Sequence, residues 1–314
     1  MLQKHDQRKT MIHIDRFVKV SLQSLALLSS SFIFIVTGVI LTKGITPFVT
    51  QNGGLGSVNL WSFLTGNTWL IGPTFQSTIY SVGFIIIQTI YVVFLSLFIS
   101  FPVGVLTALF IAKIAPKKLA ELLRTVVEML ASIPSIIYGL FGAGVILRFV
   151  YNLSSVFGYQ SKGGNSVLST IIILALMTMP TITTVSEVAI RSVDKSLIEG
   201  SLALGATETQ THFKVVLAAA KSGIFTSAIL GVGRALGEAT AVSLVAGGRR
   251  SGLSFNILDT TSTLTTTMLE GMKDSAGLDY DIRFSVGLVL MAVILLTNFT
   301  LNAIKRKVGN VHVK

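Results

Sequence analysis

The sequence predicts an all-α polytopic membrane protein with six transmembrane helices, and three observations support this fold class. Of the 314 residues, 51% are hydrophobic and only 12% are charged, whereas a soluble domain averages about 25% charged residues. Six apolar runs reach or approach the roughly 20 residues that a spanning helix needs. The runs do not alternate in polarity as barrel strands do. Because only helices and closed barrels can satisfy their backbone polar groups in lipid, the runs are predicted to be helices.

The predicted organisation follows these runs along the chain. A cytoplasmic segment, 1–21, precedes a first transmembrane helix, 22–42, and an extracellular segment, 43–78, follows it. A five-helix core then occupies 79–304, and 305–314 form a cytoplasmic tail. The apolar runs of the core are Ile79–Ala112, Met129–Leu147, Gly163–Ser186, Ser222–Gly248 and Phe284–Ile304. Pro102, Pro134 and Pro180 lie inside these runs, where each is expected to kink a helix whose freed carbonyl groups find other partners.

Basic residues concentrate on one side of the predicted spans. With the N-terminus inside, most Lys and Arg residues fall in 1–21, 113–124, 191–221 and 305–314. The predicted outer segments carry Lys43, Lys162, Arg249, Arg250, Lys273 and Arg283. By the positive-inside rule, both termini and segment 191–221 are predicted to be cytoplasmic. The net charge of +11 is therefore explained by topology, and the scattered basic residues offer no single face for a nucleic acid.

Motifs for catalysis are absent from the sequence. There is no G-x-x-x-x-G-K-[ST] loop to hold ATP phosphates, and no G-x-S-x-G elbow for a nucleophilic serine. The four histidines lie far apart without metal-ligand spacing, and cysteine is absent. The sequence therefore predicts no enzymatic activity, no metal site and no cofactor bound by this chain.

A polar segment between two apolar runs, Glu199–Ala218, has the pattern of a helical corner. Ser196 and Glu199 form an S-x-x-E pattern, which predicts a capping box and a short helix that ends at Gly205. A second box beginning at Thr207 predicts another short helix immediately afterwards. Two interpretations stay open from these residues alone. The corner either fits a socket in another protein or is an ordinary hairpin that covers the bundle, with Glu199 as a cap.

The run Ser222–Gly248 carries two charged residues, Arg234 near its middle and Glu238 four residues later. Inserting an arginine at mid-bilayer costs about 2.5–3.5 kcal/mol on insertion scales, so the presence of Arg234 within a span calls for an explanation. In one uninterrupted helix the two side chains share a face, which allows a self-neutralising ion pair. In the alternative, the guanidinium faces a translocation path and binds the oxygens of an anion through two N–H groups, while Glu238 holds the arginine between substrates. Arg before Glu is the weaker order for such a pair, which favours the second interpretation.

Other charged residues and glycines have plainer interpretations. Glu187 with Arg191, and Arg124 with Glu128, are further pairs at i, i+4 near predicted span ends, where they are expected to anchor helices in the interface. Small residues are expected to allow close helix packing. They occur in Gly139–Gly144 and Gly231–Gly233.

Several segments resemble the permease subunits of phosphate ABC importers. Residues 131–142 read ASIPSIIYGLFG and are similar to the third-span signature of that family. Residues 233–242 read GRALGEATAV and resemble its G-R-A-L-G-E-T segment, and the continuation SLVAGG at 243–248 is similar to the C-type rather than the A-type subunit. Residues 63–69, FLTGNTW, are similar to a loop of the same subunits.

The polar segment also resembles the loop by which such permeases bind their ATPases, E-A-A-x-x-x-G-x₉-I-x-L-P. Glu199 is followed by Gly205 six residues later, and then by Val215 and Leu217. Ala218 stands where that pattern has proline, which puts a sharp stop before the next helix in doubt.

The resemblance implies a type I ABC-importer permease fold in the plasma membrane of a bacterium. It implies an A-type permease subunit as partner, two copies of an ATP-binding subunit docked in the cytoplasm, and an extracellular protein that delivers phosphate. ATP and Mg²⁺ would be used by the partner ATPase. The residues it assigns are Arg234 and Glu238 for the substrate pathway, Ser196, Glu199, Gly205 and Thr207 for ATPase docking within 191–221, and Ser132, Pro134, Ser135 and Tyr138 as candidate pore-lining residues.

Two alternatives stay open at this point. One is a permease for another oxyanion such as molybdate or sulfate, which residues 233–238 disfavour. The other is an ion-coupled secondary transporter or a channel, for which inverted repeats with broken helices would be typical. No convincing internal repeat is found, and an autonomous carrier has no use for a docking corner.

Overall fold

The computed structural model describes residues 2–50, 56–72 and 78–309. Within these ranges six helical runs are long and apolar enough to cross a membrane, as predicted. They are Asp15–Val49, Gly83–Ile114, Ser135–Val156, Val167–Arg191, Glu208–Gly237 and Leu278–Lys307. The described residues contain isolated β-bridges but no strand, so the fold is all-α.

The helices in chain order are α1 (Leu2–Val49), α2 (Leu60–Thr65), α3 (Gly83–Leu109), α4 (Lys117–Ser132), α5 (Ser135–Phe141), α6 (Leu147–Val156), α7 (Val167–Arg191), α8 (Lys195–Ala203), α9 (Glu208–Gln210), α10 (Leu217–Gly237), α11 (Thr240–Ser243), α12 (Leu264–Leu269) and α13 (Leu278–Gly309). Single π-helical turns prolong α3 through Ile114 and join α5 to α6 and α9 to α10. We call the end of the bundle that holds residues 192–207 the corner end. The opposite end, which holds 56–72 and 249–277, is the far end.

Helix α7 is the centre of the bundle, because it packs against α3, α4 and α10. Its apolar side chains form a core with α3 and α10, for example Leu174 with Val92 and Val232. Polar side chains cross the same contacts: Thr178 donates to Ser100 Oγ at 3.0 Å, and Ser186 donates to Ser227 Oγ at 2.8 Å. These hydrogen bonds satisfy hydroxyl groups that would otherwise be costly in hydrocarbon.

Helix α1 packs against α13 and leaves most of its apolar surface uncovered. The most apolar stretch of α1 has no buried residue, which is the pattern of a helix that faces lipid. The contact with α13 is closest at Gly44, where a Cβ atom would lie 2.6 Å from Leu288. Ser285 Oγ donates to the Gly44 carbonyl oxygen at 2.7 Å, which fixes this crossing.

The three span prolines have different effects. Pro102 and Pro180 lie inside α3 and α7, as predicted. The expectation that Pro134 kinks a span is wrong, because the chain is broken there: α4 ends at Ser132, Ile133 is extended, and α5 begins at Ser135. A proline disfavours helical geometry at the residue before it, which explains the break. The predicted run Met129–Leu147 therefore straddles the break between α4 and α5.

The predicted run Ser222–Gly248 is likewise not one helix. The helix begins at Glu208, well before the run, and ends at Gly237, where Glu238 is extended. The chain then makes the short helix α11 and continues to the far end. Two glycines with positive φ, Gly247 and Gly248, end this stretch.

Candidate functional site

The corner consists of α8, the turn at Gly205 and the start of α9. Gly205 has φ +85°, the left-handed geometry predicted for the end of the first helix. Beyond the turn, Ser201 Oγ and Thr211 Oγ1 lie 2.9 Å apart and hold the two limbs together. Leu204 at the tip is 91% exposed. The corner is thus a compact turn with one apolar side chain at its tip.

The two predicted capping boxes have different outcomes. The box at Thr207 is confirmed, since Thr207 Oγ1 accepts from the Gln210 N–H and Gln210 Oε1 accepts from the Thr207 N–H, both at 3.2 Å. The box at Ser196 is wrong, because α8 begins at Lys195 and its N-cap is Asp194, two residues before the predicted cap. The Asp194 carboxylate accepts from the Ser196 N–H at 2.9 Å, and this hydrogen bond lowers the pKa of Asp194. An aspartate two residues before Ser196 was a visible signal for this cap.

The limb after the corner is longer than predicted. The sequence predicts a second short helix, but α9 passes through a π-helical turn, Thr211–Val216, directly into α10. Ala218 stands where the ATPase-binding pattern has proline, and no helix break occurs there. The second limb of the corner and the fifth span are therefore one continuous element from Glu208 to Gly237.

The corrected cap gives a test of the corner. Replacing Asp194 by alanine removes the side-chain partner of the Ser196 N–H and should destabilise α8 by about 1 kcal/mol. We expect faster amide hydrogen exchange in 195–203, measured by mass spectrometry. Ser196→Ala is the matched control, and it should leave exchange unchanged. Equal effects of the two substitutions would contradict the cap.

A carboxylate at the base of the corner joins three elements. Glu187 on α7 is buried, and its Oε1 atom accepts from Arg124 on α4 and Arg191 on α7, each at 2.7 Å. Arg191 Nη2 also donates to the carbonyl oxygen of Ile111 at 3.3 Å. The predicted pair of Glu187 with Arg191 is confirmed, whereas Arg124 binds Glu187 rather than Glu128. The sequence could not reveal this partner, because it lies on another helix.

Arg234 lies near the C-terminal end of α10 and is half-buried. Its Nη1 atom donates to Thr181 Oγ1, near the middle of α7, at 2.9 Å. Among the described residues no carboxylate lies within ion-pair distance of Arg234. Gly233 and Gly237 beside it have open space where a Cβ atom would stand. The guanidinium is thus oriented by one hydroxyl, with further N–H groups free for a ligand.

Glu238 does not share a helix face with Arg234, which corrects the predicted geometry. Because α10 ends at Gly237, Glu238 lies outside the helix, and its Oε1 atom accepts from the Ala241 N–H at 3.0 Å. The Glu238 carbonyl oxygen accepts from Thr265 Oγ1 at 2.8 Å. Glu238 therefore stabilises the break after Arg234, and the self-neutralising pair is not formed.

The two signature segments of the sequence meet in the structure. At Gly139 of α5 a Cβ atom would lie 2.9 Å from Ala241 Cα, and at Gly142 it would lie 2.9 Å from a Val245 methyl group. These glycines allow close packing, as does Gly231, whereas Gly144 and Gly233 contact nothing. The predicted packing role therefore holds for part of the glycine set.

The candidate pore-lining residues divide into two kinds. Ser132 and Pro134 are exposed and Ser135 is half-buried at the α4–α5 break, while Tyr138 is only 7% exposed. The Tyr138 hydroxyl donates to the Leu130 carbonyl oxygen at 2.8 Å, across the break. This bond replaces the helical partner that Pro134 cannot provide. Their place along a pathway stays a prediction.

An aspartate anchors the far-end segment to the bundle. Asp259 accepts from Ser254 Oγ at 2.6 Å, from Arg249 Nη1 at 3.2 Å and from the Tyr159 hydroxyl. Burial raises the pKa of Asp259, but the hydrogen bonds from Ser254 and Tyr159 and the Arg249 charge outweigh it, so the pKa lies below its usual value. The carboxylate is therefore charged at neutral pH and holds 249–259 against Tyr159, in the connection between α6 and α7.

Comparisons with known proteins agree with this architecture. The family described as "Binding-protein-dependent transport system inner membrane component" matches residues 100–309. A probable ABC transporter permease protein, YqgH of Bacillus subtilis, is 38% identical over 80% of this chain and 78% of its own. The phosphate transport system permease protein PstC 1 of Mycobacterium tuberculosis is 32% identical over 83% of this chain and 86% of its own.

A solved structure of a bacterial alginate ABC transporter contains a chain of similar fold. It superposes with a TM-score of 0.62 and 18% sequence identity, and the match covers 94% of this chain and 98% of that one. At this identity the likeness concerns the fold alone, and it agrees with the predicted type I ABC-importer permease architecture.

Proposed function

Because this chain belongs to the family of binding-protein-dependent transport system inner membrane components, we propose that it is the C-type permease subunit of an ATP-driven importer of inorganic phosphate. The observation that carries the proposal is Arg234, a guanidinium within a membrane span that no carboxylate of the described chain neutralises. The name of the mycobacterial relative, a phosphate transport system permease protein, supports the choice of anion.

Arg234 is placed to bind a tetrahedral oxyanion. Thr181 occupies one Nη1 hydrogen and thereby fixes the plane of the guanidinium. The remaining N–H groups can bind two oxygens of one phosphate, the arrangement in which arginine binds oxyanions most strongly. The open space at Gly233 and Gly237 lets the anion approach without a side-chain barrier. Glu238 keeps the chain turned away after Gly237, which leaves Arg234 at the end of a helix.

The corner is the proposed binding element for an ATPase. It protrudes at the end of the bundle that the basic residues predict to be cytoplasmic. Because the element from Glu208 to Gly237 is continuous, a displacement of its first turn, where the corner ends, is transmitted along one helix to Arg234. Two ATP-binding subunits would use ATP and Mg²⁺ and move this chain between inward-open and outward-open states.

The remaining partners follow from the uncovered surfaces of the single chain. The exposed residues around Arg234, such as Leu230 and Gly237, need a second permease subunit to close a pathway. We propose an A-type subunit there and an extracellular phosphate-binding protein at the far end. Ser132, Pro134 and Ser135 are proposed to line the pathway, while Tyr138 supports the break beside them.

Reconstituted transport tests the proposal. The complex containing this chain is placed in proteoliposomes with the ATP-binding subunits and the binding protein, and uptake of labelled phosphate is followed. We expect uptake that needs ATP, resists excess sulfate and molybdate, and stops when the ATP-binding subunits are omitted. Preferred uptake of molybdate or sulfate would assign another oxyanion, and uptake without the ATP-binding subunits would favour a secondary transporter.

A further inference from the structure

A buried arginine lies beside a cavity at the far end. Arg283 of α13 is 2% exposed, and its Nη1 atom donates to the Thr267 carbonyl oxygen at 3.2 Å and to the Glu270 carbonyl oxygen. Asp279 lies 3.5 Å from Nη2. The Nε atom is buried and has no hydrogen-bond partner. A buried donor without a partner is unfavourable, so its presence needs an explanation.

The cavity next to Arg283 has a volume of about 180 Å³ and is also lined by Arg249, Arg250 and Glu270. A second cavity of about 530 Å³ lies beside it and shares Arg250 and Glu270. Together they exceed many times the roughly 30 Å³ that one water molecule occupies in the liquid. The cavities offer room for a small polar ligand with its hydration water.

Glycines keep this space open. Gly271 has φ +69°, and a Cβ atom there would stand 3.1 Å from Arg283 Nη2. Gly248 has φ +64°, and a Cβ atom there would face the Glu270 carboxylate at 3.6 Å. A larger residue would be strained at either position because of the positive φ, and at Gly271 it would also crowd Arg283. The two positive-φ glycines and the charged side chains thus line the same cavities.

The charged groups differ in how firmly they are held. Arg249 is fixed by Asp259 and by the Gly252 carbonyl oxygen, at 3.2 and 2.8 Å. Arg250 and Glu270 form only a long ion pair of 3.8 Å with both side chains more than half exposed. A pair of this kind contributes little by itself. Both side chains can therefore turn toward a ligand at small cost.

The combination of arginines with one carboxylate selects a particular ligand chemistry. Arginine N–H groups bind the oxygens of a tetrahedral anion. An ionised carboxylate only accepts hydrogen bonds, so Glu270 would repel an anion that carries no proton. Hydrogen phosphate carries a hydroxyl group that can donate a hydrogen bond to Glu270, whereas sulfate at neutral pH has no such donor. We propose that the far-end cavities form a second phosphate site, bound through Arg250, Arg283 and Glu270, which phosphate occupies before it reaches Arg234.

Helix α12 connects the two sites. Thr265 donates to the Glu238 carbonyl oxygen at 2.8 Å, while Thr266 and Thr267, on the same helix, line the cavities. Helix α12 therefore contacts both the chain break after Arg234 and the far-end cavities.

The inference rests on the proposed function for the identity of the anion. A binding experiment distinguishes a failure of the second site from a failure of the proposed function. The full complex carrying Arg234→Ala is purified in detergent without the binding protein, and equilibrium binding of labelled inorganic phosphate is measured with sulfate as competitor. We expect saturable phosphate binding that sulfate displaces poorly. Glu270→Gln in this background should weaken phosphate binding at least tenfold and make sulfate an effective competitor, and Arg250→Gln should also weaken it.

Lys273→Gln is the matched control, because it removes an exposed charge of the same segment that lines neither cavity. It should leave binding unchanged, and size-exclusion chromatography should find every variant assembled. Absence of saturable binding in the Arg234→Ala complex would overturn the second site, and so would equal behaviour of the Glu270→Gln and Lys273→Gln variants. A wild-type complex without ATP-dependent phosphate uptake would instead overturn the proposed function.

Discussion

Replacing Arg234 by alanine is expected to abolish ATP-dependent phosphate uptake while the complex still assembles. The substitution removes the N–H groups that would bind two phosphate oxygens, and each charge-assisted hydrogen bond contributes about 1.5–3 kcal/mol. Two such bonds correspond to a decrease of at least about 100-fold, since about 1.4 kcal/mol is one factor of ten. The measurement is the initial rate of labelled phosphate uptake into proteoliposomes, together with co-purification of the partner subunits.

Three further variants identify the cause of that loss. Arg234→Lys keeps the charge but not the planar fork, and it should recover only a minor part of the uptake. Thr181→Val leaves the guanidinium but removes the hydroxyl that orients it at 2.9 Å, so it should weaken uptake less than Arg234→Ala does. Arg148→Ala removes an exposed arginine from α6 and should have no effect. Normal uptake by the Arg234→Ala complex would refute the role of this side chain.

Replacing Gly205 by valine is expected to uncouple the complex from its ATPase. Gly205 has φ +85°, where a β-branched residue is strongly disfavoured. A non-glycine residue held in such geometry costs on the order of 1–3 kcal/mol, which the short turn between α8 and α9 can relieve only by changing shape. We expect at least a tenfold loss of ATPase subunits from the purified complex, with a matching loss of uptake. The six spans should remain folded.

Asparagine at the same position is the control, because it is polar, similar in size to valine and tolerated in the left-handed region. Nothing lies within 4 Å of the position that a Cβ atom would take at Gly205, so the two substitutions differ in backbone preference rather than in crowding. Gly205→Asn should retain most ATPase association. If the valine variant binds the ATPase and transports normally, the corner is not the docking element.

The parts of the fold that the sequence predicts well are those set by local patterns. Apolar length predicts the six spans, and a threonine followed three residues later by glutamine predicts the Thr207 cap. The positive φ at Gly205 follows from the need of a helix end for a left-handed residue. In each case the physical cause lies within a few residues of the chain.

The parts that were predicted incorrectly depend on choices between neighbours or on distant contacts. Asp194 and Ser196 compete for one helix start, and the aspartate forms the cap. The partner of Arg124 lies 63 residues away on α7. No proline marks the end of α10 before Glu238 in the sequence. The break is stabilised by Thr265 from another helix, a contact that local sequence patterns do not reveal. Hydrophobicity alone therefore extended the predicted span past the end of α10 at Gly237, through α11 to Gly248.

The unbroken element that begins at Glu208 determines how far a small rotation reaches. Its 30 residues form a rod of roughly 45 Å at 1.5 Å per residue. Arg234 lies near the distal tip, so pivoting the rod by about 5° at its base displaces this residue by about 3–4 Å on the same geometry. That distance exceeds the 2.9 Å contact between Arg234 and Thr181. A modest angular stroke at the corner would thus suffice to detach the guanidinium from its resting partner and present it elsewhere.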